Sequence, residues 1–351
     1  MYGTLTTLDD IRNLQDSINA FGEDQLAERL AQSFNFHNSA MQEAIADFAT
    51  LTSERQHGYG GGSDIELQEM DQNGTPDAQK IAVEGNLGLP LRFFGAAVQW
   101  NRHFVVNTSV AKAIEQLDAA AAADVRNVTR QIRRALFTPT NNDTYQDRLQ
   151  TPIIQLQLKA LLNADGMGIP MGPNGETFDG SSHTHYVANA SLTESFLSSL
   201  VDNVLEHGVS GGMAIYINRA QEATVRGFDG FEGYVDARIN AGANESYATG
   251  GLDVNNPADR AIGIFNGAEV WVKPWVPANY QVVFDRGAGV DKALGIRTRS
   301  GSMGGDAYSG GFGLLFEDDT FPLRARALGR EFGVGVLNRH KAAVGYTGGA
   351  D

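Results

Sequence analysis

The sequence predicts an α+β chain in which long appendages project from a mixed central domain. Three observations predict it. Apolar residues recur at spacings of 4, 3, 4, 4, 3, 4 and 4 from Val110 to Leu136, one face of a helix about 30 residues long. Two alternating segments flank Asn73-Gly74, the pattern of a β-hairpin. Elsewhere helical and strand signals follow one another without a strand–helix–strand rhythm.

The front of the chain reads as helical over residues 7–50. Thr7 can cap a helix from Leu8 to about Ala20, with Asp9 and Asp10 in its first turn, and Gly22 breaks it. A second pattern runs through Leu26, Leu30, Phe34, Met41, Ile45 and Phe48. Acids and amides leave this segment only a narrow apolar stripe, stable when laid on a partner surface. Residues 51–63 (LTSERQHGYGGGS) read as a flexible joint. Strands follow around Ile65 and Leu67 and around Ile81 and Val83, joined by the Asn73-Gly74 turn. An isolated two-stranded ribbon is marginal in water, so something outside it must cover one face.

Residues 89–106 are rich in aromatic and β-branched side chains and lead to the long helix, capped at Asn107-Thr108. At 1.5 Å per residue that helix spans roughly 40–45 Å. Its apolar face is a spine for a sheet or a second helix, and the run of alanines at 119–123 allows close backbone approach. Arg126, Arg130, Arg133 and Arg134 favour its C-terminal dipole and ion pairs over a phosphate site, and Pro139 stops it. Residues 138–190 are polar and turn-dense apart from PIIQLQLKALLN. Ser191 and Glu194 form a capping box for a helix over 191–207, which Gly208 closes. A buried strand at GGMAIYIN and a helix at RAQEATVRGF come next, and strands around 262–265, 269–273 and 280–285. KALGIRTR, FGLLFED, LRARALGREFGVGVLN and KAAVGYT supply the closing strands.

One turn in this series is unusual. In EVWVKPWVPANYQVVFD a turn shows Trp275-Val276 between Pro274 and Pro277, where an ordinary surface turn is polar. Trp275 is therefore expected to be covered, by its own chain or by a neighbour.

The bulk numbers limit the chemistry. The chain has 351 residues, 42% hydrophobic and 20% charged, with 41 glycines and a net charge of −15. Such a chain repels nucleic acid and anionic membranes unless its basic residues cluster. The absence of cysteine excludes disulfides, thiolate metal sites and a thiol nucleophile. The N-terminus resembles no secretion signal and no run of 18 apolar residues occurs, so the expectation is a soluble intracellular product without a membrane span. The expectation for catalytic residues, cofactors and metals is none. No phosphate loop, dinucleotide fingerprint or nucleophile elbow is present. His183 and His185 would share a face of an extended strand, with Asp179 or Glu176 able to add oxygen, but the stretch reads as a solvated loop. Asp71-Gln72-Asn73 with Thr75 begins like a calcium loop, yet Pro76 stands where glycine is needed.

The order of parts, and the segments GAEVWVKPWVPANYQVVFD, KALGIRTR, EFGVGVLNRHKAAVGYT and SLTESFLSSLVDNVLEHGVSGGMAIYIN, resemble the major capsid proteins of tailed bacteriophages. That shell fold is shared with the herpesvirus capsid floor and with encapsulins. The resemblance implies an N-terminal arm (1–54), an extended loop (55–95) and a peripheral domain with the spine helix (96–150). It further implies an axial domain (151–320) and closing strands of the peripheral domain (321–351). It implies a non-enzymatic subunit assembling as hexamers and pentamers into an icosahedral head shell in the host cytoplasm. The shell would enclose double-stranded DNA without sequence-specific binding, in company with scaffolding, portal and decoration proteins. Ile65, Leu67, Lys80, Ile81, Val83, Arg92 and Trp275 are then expected at subunit contacts. Some family members crosslink through a loop lysine and an asparagine, for which Lys80 and Asn338 would be the candidates. Two other readings stay open: an encapsulin-like bacterial nanocompartment, and a metal-dependent hydrolase centred on His183 and His185.

Overall fold

A computed structural model describes residues 16–59, 67, 69, 70, 72, 74, 85–101, 107–209, 211–234, 259–287, 292–299, 310–318 and 323–348. The expected helix from Leu8 lies outside these residues except at its end. There α1 (Ile18–Phe21) is closed by Gly22, whose φ of 107° ends the helical path. Helix α2 (Glu23–Ile45) follows. The expected joint at 51–63 is partly ordered instead. Strands β1 (Ala49–Thr52) and β2 (Gln56–Tyr59) stand there, and β2 pairs antiparallel with β3 (Gly85–Gly88). The ribbon thus begins at the place read as its hinge. Its predicted strands at Ile65, Lys80, Ile81 and Val83 lie outside the described residues.

Strand β4 (Arg92–Asn101) leads towards α3 (Val110–Phe137), the spine helix, capped by Ser109 rather than by the expected Asn107-Thr108. A small hairpin missed in the polar stretch, β5 (Asn142–Asp147) with β6 (Ile154–Leu158), follows it. Then come β7 (Tyr186–Ala188), α4 (Glu194–Leu205), β8 (Met213–Ile217), α5 (Glu222–Arg226), β9 (Phe231–Gly233), β10 (Arg260–Phe265), β11 (Ala268–Val272), β12 (Tyr280–Asp285), β13 (Leu294–Arg297), β14 (Gly313–Asp318), β15 (Leu323–Val336) and β16 (Ala342–Tyr346). The cap of α4 is Thr193, whose hydroxyl accepts from the amide of Phe196. The Ser191 capping box therefore does not form: Glu194 is already inside the first turn and accepts from the amides of Asp229 and Gly230.

Two sheets organise the chain. The larger has the order β7-β16-β12-β8-β11-β10-β9 and mixes parallel and antiparallel pairs. Its centre is buried on both faces, which explains the unbroken apolar run MAIYI. Ile215 and Ile217 of β8 meet Phe196, Leu197, Leu200 and Val204 of α4 on one face. Ala214 and Tyr216 point to the other, into a core with Val128, Ile132 and Leu136 of α3 and with Phe48, Phe284 and Phe332. The second sheet has the order β1-β13-β15-β14, with β4 also on β15. Strand β15 pairs with β4 from Leu323↔Asn101 to Phe332↔Arg92. The closing segment 321–351, expected to complete the peripheral domain, divides between the sheets: β15 builds the smaller one, and β16 enters the larger one.

The apolar face of α3 differs from the predicted stripe at one point. Val110, Ile114, Val128, Ile132 and Leu136 are buried, but Val125 is half-exposed and Asp124 takes the inward position. Arg330 of β15 grips that carboxylate with two nitrogens, at 3.1 and 2.7 Å, and His37 of α2 donates to it at 2.9 Å. The arm thus has a polar anchor on its own chain. It has a small apolar one too, where Ile18, Phe21 and Leu26 pack on Val110, Ala113 and Ile114.

Candidate assembly surfaces and a histidine cluster

The arm and ribbon leave apolar surface uncovered. Phe36 of α2 is 79% exposed, Leu67 102% and Met70 58%. Leu51, Phe93, Val125, Ile153 and Leu314 add further exposed apolar side chains on the first strand, β4, the spine, the loop before β6 and β14. Helices and ribbons of marginal independent stability normally bury such residues. Of the expected contact residues, Leu67 is fully exposed and Arg92 is half-buried, its guanidinium 5.6 Å from the centre of the Tyr145 ring. Arg92, Arg134 and Lys159 line a cavity of about 80 Å³ with Gly88, Gln131 and Leu158. Burial, and secondly the charge of Arg134, hold the Arg92 guanidinium below its ordinary pKa. Arg126, Arg130, Arg133 and Arg134 all stand exposed.

Trp275 packs inside its own chain. Its ring lies 5.6 Å from Phe48 and 5.8 Å from Tyr216, and Val276 is buried beside it. The turn between the prolines is apolar because it closes over the core that contains the end of the arm. Asn338, the partner considered for a crosslink, donates its side-chain amide to the carbonyl of Lys292 at 3.0 Å, while Lys80 lies outside the described residues.

The base of the ribbon is fastened by a buried ion cluster. Asp147 accepts from Arg297 and from Arg55, each at 2.8 Å, and both Asp147 and Arg297 are fully buried. Arg297 also donates to the carbonyl of Leu89 at 2.7 Å and to Gln150. One carboxylate and two carbonyl-type acceptors thus hold the two ends of the ribbon against β13.

A second polar cluster contradicts the solvated-loop reading of His183 and His185. His185 is fully buried, and its Nε2 lies 3.0 Å from Nε2 of His183 and 2.9 Å from Nε2 of His207. The third side of the triangle, His183 to His207, is 3.1 Å. Glu206 Oε1 stands 3.5 Å from His183 Nε2 and 3.7 Å from His207 Nε2. The fold makes the cluster because α4 carries the chain back to the start of β7. Gly208, at φ 78°, then closes the helix end so that His207 faces His185. Phe178 covers it, with ring centres 4.8 Å from His183 and 4.2 Å from His207. Burial pushes the His185 imidazole down to about 3 and lowers His183 and His207 as well. Burial, with Asp202 second, raises the Glu206 carboxyl.

Sequence reasoning missed Glu206 and His207, and it named the wrong acids. Glu176 is tied to Asn174 and Asp179 to Ser181 and Ser182, each within its own exposed turn. The only advance signal was a histidine next to a helix-closing glycine. Of the calcium-like segment, Gln72 and Gly74 are exposed and Asp71, Asn73 and Thr75 lie outside the described residues.

The spine helix, central mixed sheet and long return strand together have the fold of phage capsid proteins. Among solved structures, the chain is similar to one from Mycobacterium phage Patience: 20% identical, covering 100% of this chain and 95% of that chain, with a TM-score of 0.64. It is also similar to the capsid of a native GTA particle (13% identical, 88% and 90% covered, TM-score 0.46) and to the SrpI encapsulin of Synechococcus elongatus PCC 7942 (9%, 86% and 84%, 0.43). No protein-family model matches the chain, and no curated protein matches it. No helix among the described residues is long and apolar enough to cross a membrane.

Proposed function

We propose that this chain is the major capsid subunit of a tailed bacteriophage, assembling as hexamers and pentamers into an icosahedral shell around double-stranded DNA. The observation that carries the reading is the uncovered apolar surface on the arm and ribbon, at Phe36, Leu67 and Met70, in a chain of this fold. Neighbouring copies are the natural cover, because many contacts of about 1,200–2,000 Å² each make a durable closed shell from individually modest interfaces. Net charge of −15 suits a wall that must not hold its nucleic acid tightly. The division into arm, extended loop, peripheral and axial domains, the virion as final location and the host cytoplasm as the place of assembly belong to the same proposal. So do scaffolding, portal and decoration partners.

Electron microscopy and sedimentation of the purified protein test it. Closed shells are expected, and a compact monomer at every concentration and salt would overturn it. The double variant Phe36→Glu, Leu67→Glu should stay folded, within about 0.5 kcal/mol of the parent as exposed substitutions usually are, and form no shells. Nuclease-protected DNA in shells from infected or induced cells separates a virion from a nanocompartment, whose shells would hold a protein cargo.

A further inference from the structure

The histidine triangle has a proton problem. The carbonyl of Ala342 can only accept, so His185 Nδ1, 2.8 Å away, carries the proton and its Nε2 is a bare lone pair. That lone pair points at two other Nε2 atoms. Three mutual contacts near 3 Å cannot all be hydrogen bonds when at most two of the nitrogens carry protons. Two further atoms sharpen the imbalance. Among the described residues, His207 Nδ1 and Glu206 Oε1 are buried with no hydrogen-bond partner. Acceptors therefore outnumber donors in a cluster whose four ligand atoms lie within 4.8 Å of one another. Leaving such groups unpaired is costly, and a positive charge at their centre resolves it.

We propose that His183, His185, His207 and Glu206 bind one divalent first-row transition ion, with zinc the leading occupant. An ion about 2.1 Å from each nitrogen would see N–metal–N angles of about 87–95° at the observed spacings, and a tetrahedral site follows if each side opens by roughly 0.4 Å and the Glu206 carboxylate moves in by about 1 Å as fourth ligand. Nitrogen donors disfavour calcium and magnesium, which take oxygen, and imidazole suits zinc, copper and nickel. The Nδ1–H of His185 on a backbone carbonyl is the support that ligating histidines usually have. The ion would be a structural staple. It ties the loop before β7 to the end of α4 and, through Ala342, to β16. The other ring neighbour of His207 is His340, which stacks beside Tyr59 at the base of the ribbon. The staple therefore lies next to the joint between the ribbon and the central sheet.

The test uses tag-free full-length protein, stripped with a chelator and titrated with cobalt(II) and zinc(II). The expected result is one equivalent per chain, a visible ligand-field band for cobalt, and a higher thermal midpoint with zinc. Loss of a supporting group typically costs about 10–100-fold in affinity, so His183→Ala, which removes a ligand, should weaken binding by at least about 100-fold. Glu206→Gln should weaken it by at least about 10-fold; its side chain is partly exposed, so this variant carries the test if His183→Ala fails to fold. His57→Ala, at a half-exposed position on β2 outside the cluster, should bind as the parent does. Absence of a saturable stoichiometric site, or parental affinity in both cluster variants, overturns the proposal. Shell formation is scored separately, so metal binding and assembly fail or succeed independently.

Discussion

Asp124 shows how one residue can interrupt a pattern that is otherwise correct. Its carboxylate sits on the buried face of the spine helix because Arg330, some two hundred residues later, reaches it with a forked pair of hydrogen bonds. Periodicity placed Val125 there, since apolar spacing within one helix carries no information about what the facing strand supplies. The pair is nearly dry, with side-chain exposures of 9% and 3%, and removing one partner of such a pair leaves a buried charge. Asp124→Ala is therefore expected to destabilise the subunit by about 3–5 kcal/mol, measured by urea denaturation of unassembled protein. His37→Ala, which removes the less buried partner, should cost clearly less. The histidine cluster makes the same point. His183 and His185 were visible as a pair, but their meeting with His207 depends on the length of α4 and on Gly208, which no local motif encodes.

Elements with strong periodic signals were legible in the sequence: the spine helix, the helix over 194–205 and the strands from 260 onward appear within a few residues of their expected positions. The short strands β1 and β2 were not. Their residues, LTSERQHGY, carry the turn-forming composition of a joint, and only pairing with distant β13 and β3 makes them strands. Strand β15 carries glycines at 329, 333 and 335. Their role is spacing. A Cβ on Gly329 would lie 2.1 Å from the carbonyl oxygen of Phe94 on β4, and one on Gly333 would lie 2.0 Å from that of Pro90. Backbone against backbone leaves no flexible group to yield. Gly329→Ala is expected to destabilise by about 1–3 kcal/mol, the usual cost of overpacking, read as a lower thermal midpoint with reduced yield of soluble protein. The arm is intermediate: its helix was legible, but its anchors on Asp124 and on Ile114 were not, because both belong to a different element.

At the level of the whole molecule, net charge works against the assembly proposed above. Each copy carries −15, so copies brought edge to edge repel one another until salt screens them. Raising ionic strength from about 0.01 M to about 0.15 M shortens the screening length from roughly 30 Å to 8 Å. Shell formation followed by light scattering should therefore speed up and move to lower protein concentration across that range; slower assembly with salt would mean that ion pairs between copies dominate instead. The overall architecture was readable from the order of parts. The distribution of the final strands between two sheets was not, since sequence order says little about which edge a strand will join.

The position of β16 has a consequence for how copies come into being. Residues Ala342–Tyr346 occupy an inner place in the larger sheet, flanked by β7 and β12, and β15 just before them is the common partner of β4, β13 and β14. Neither sheet can close while those residues are still inside the ribosome, and until then several strand edges stay open. Folding of the body must therefore wait until β16 has emerged, so a nascent chain that stops short of residue 346 has neither sheet complete.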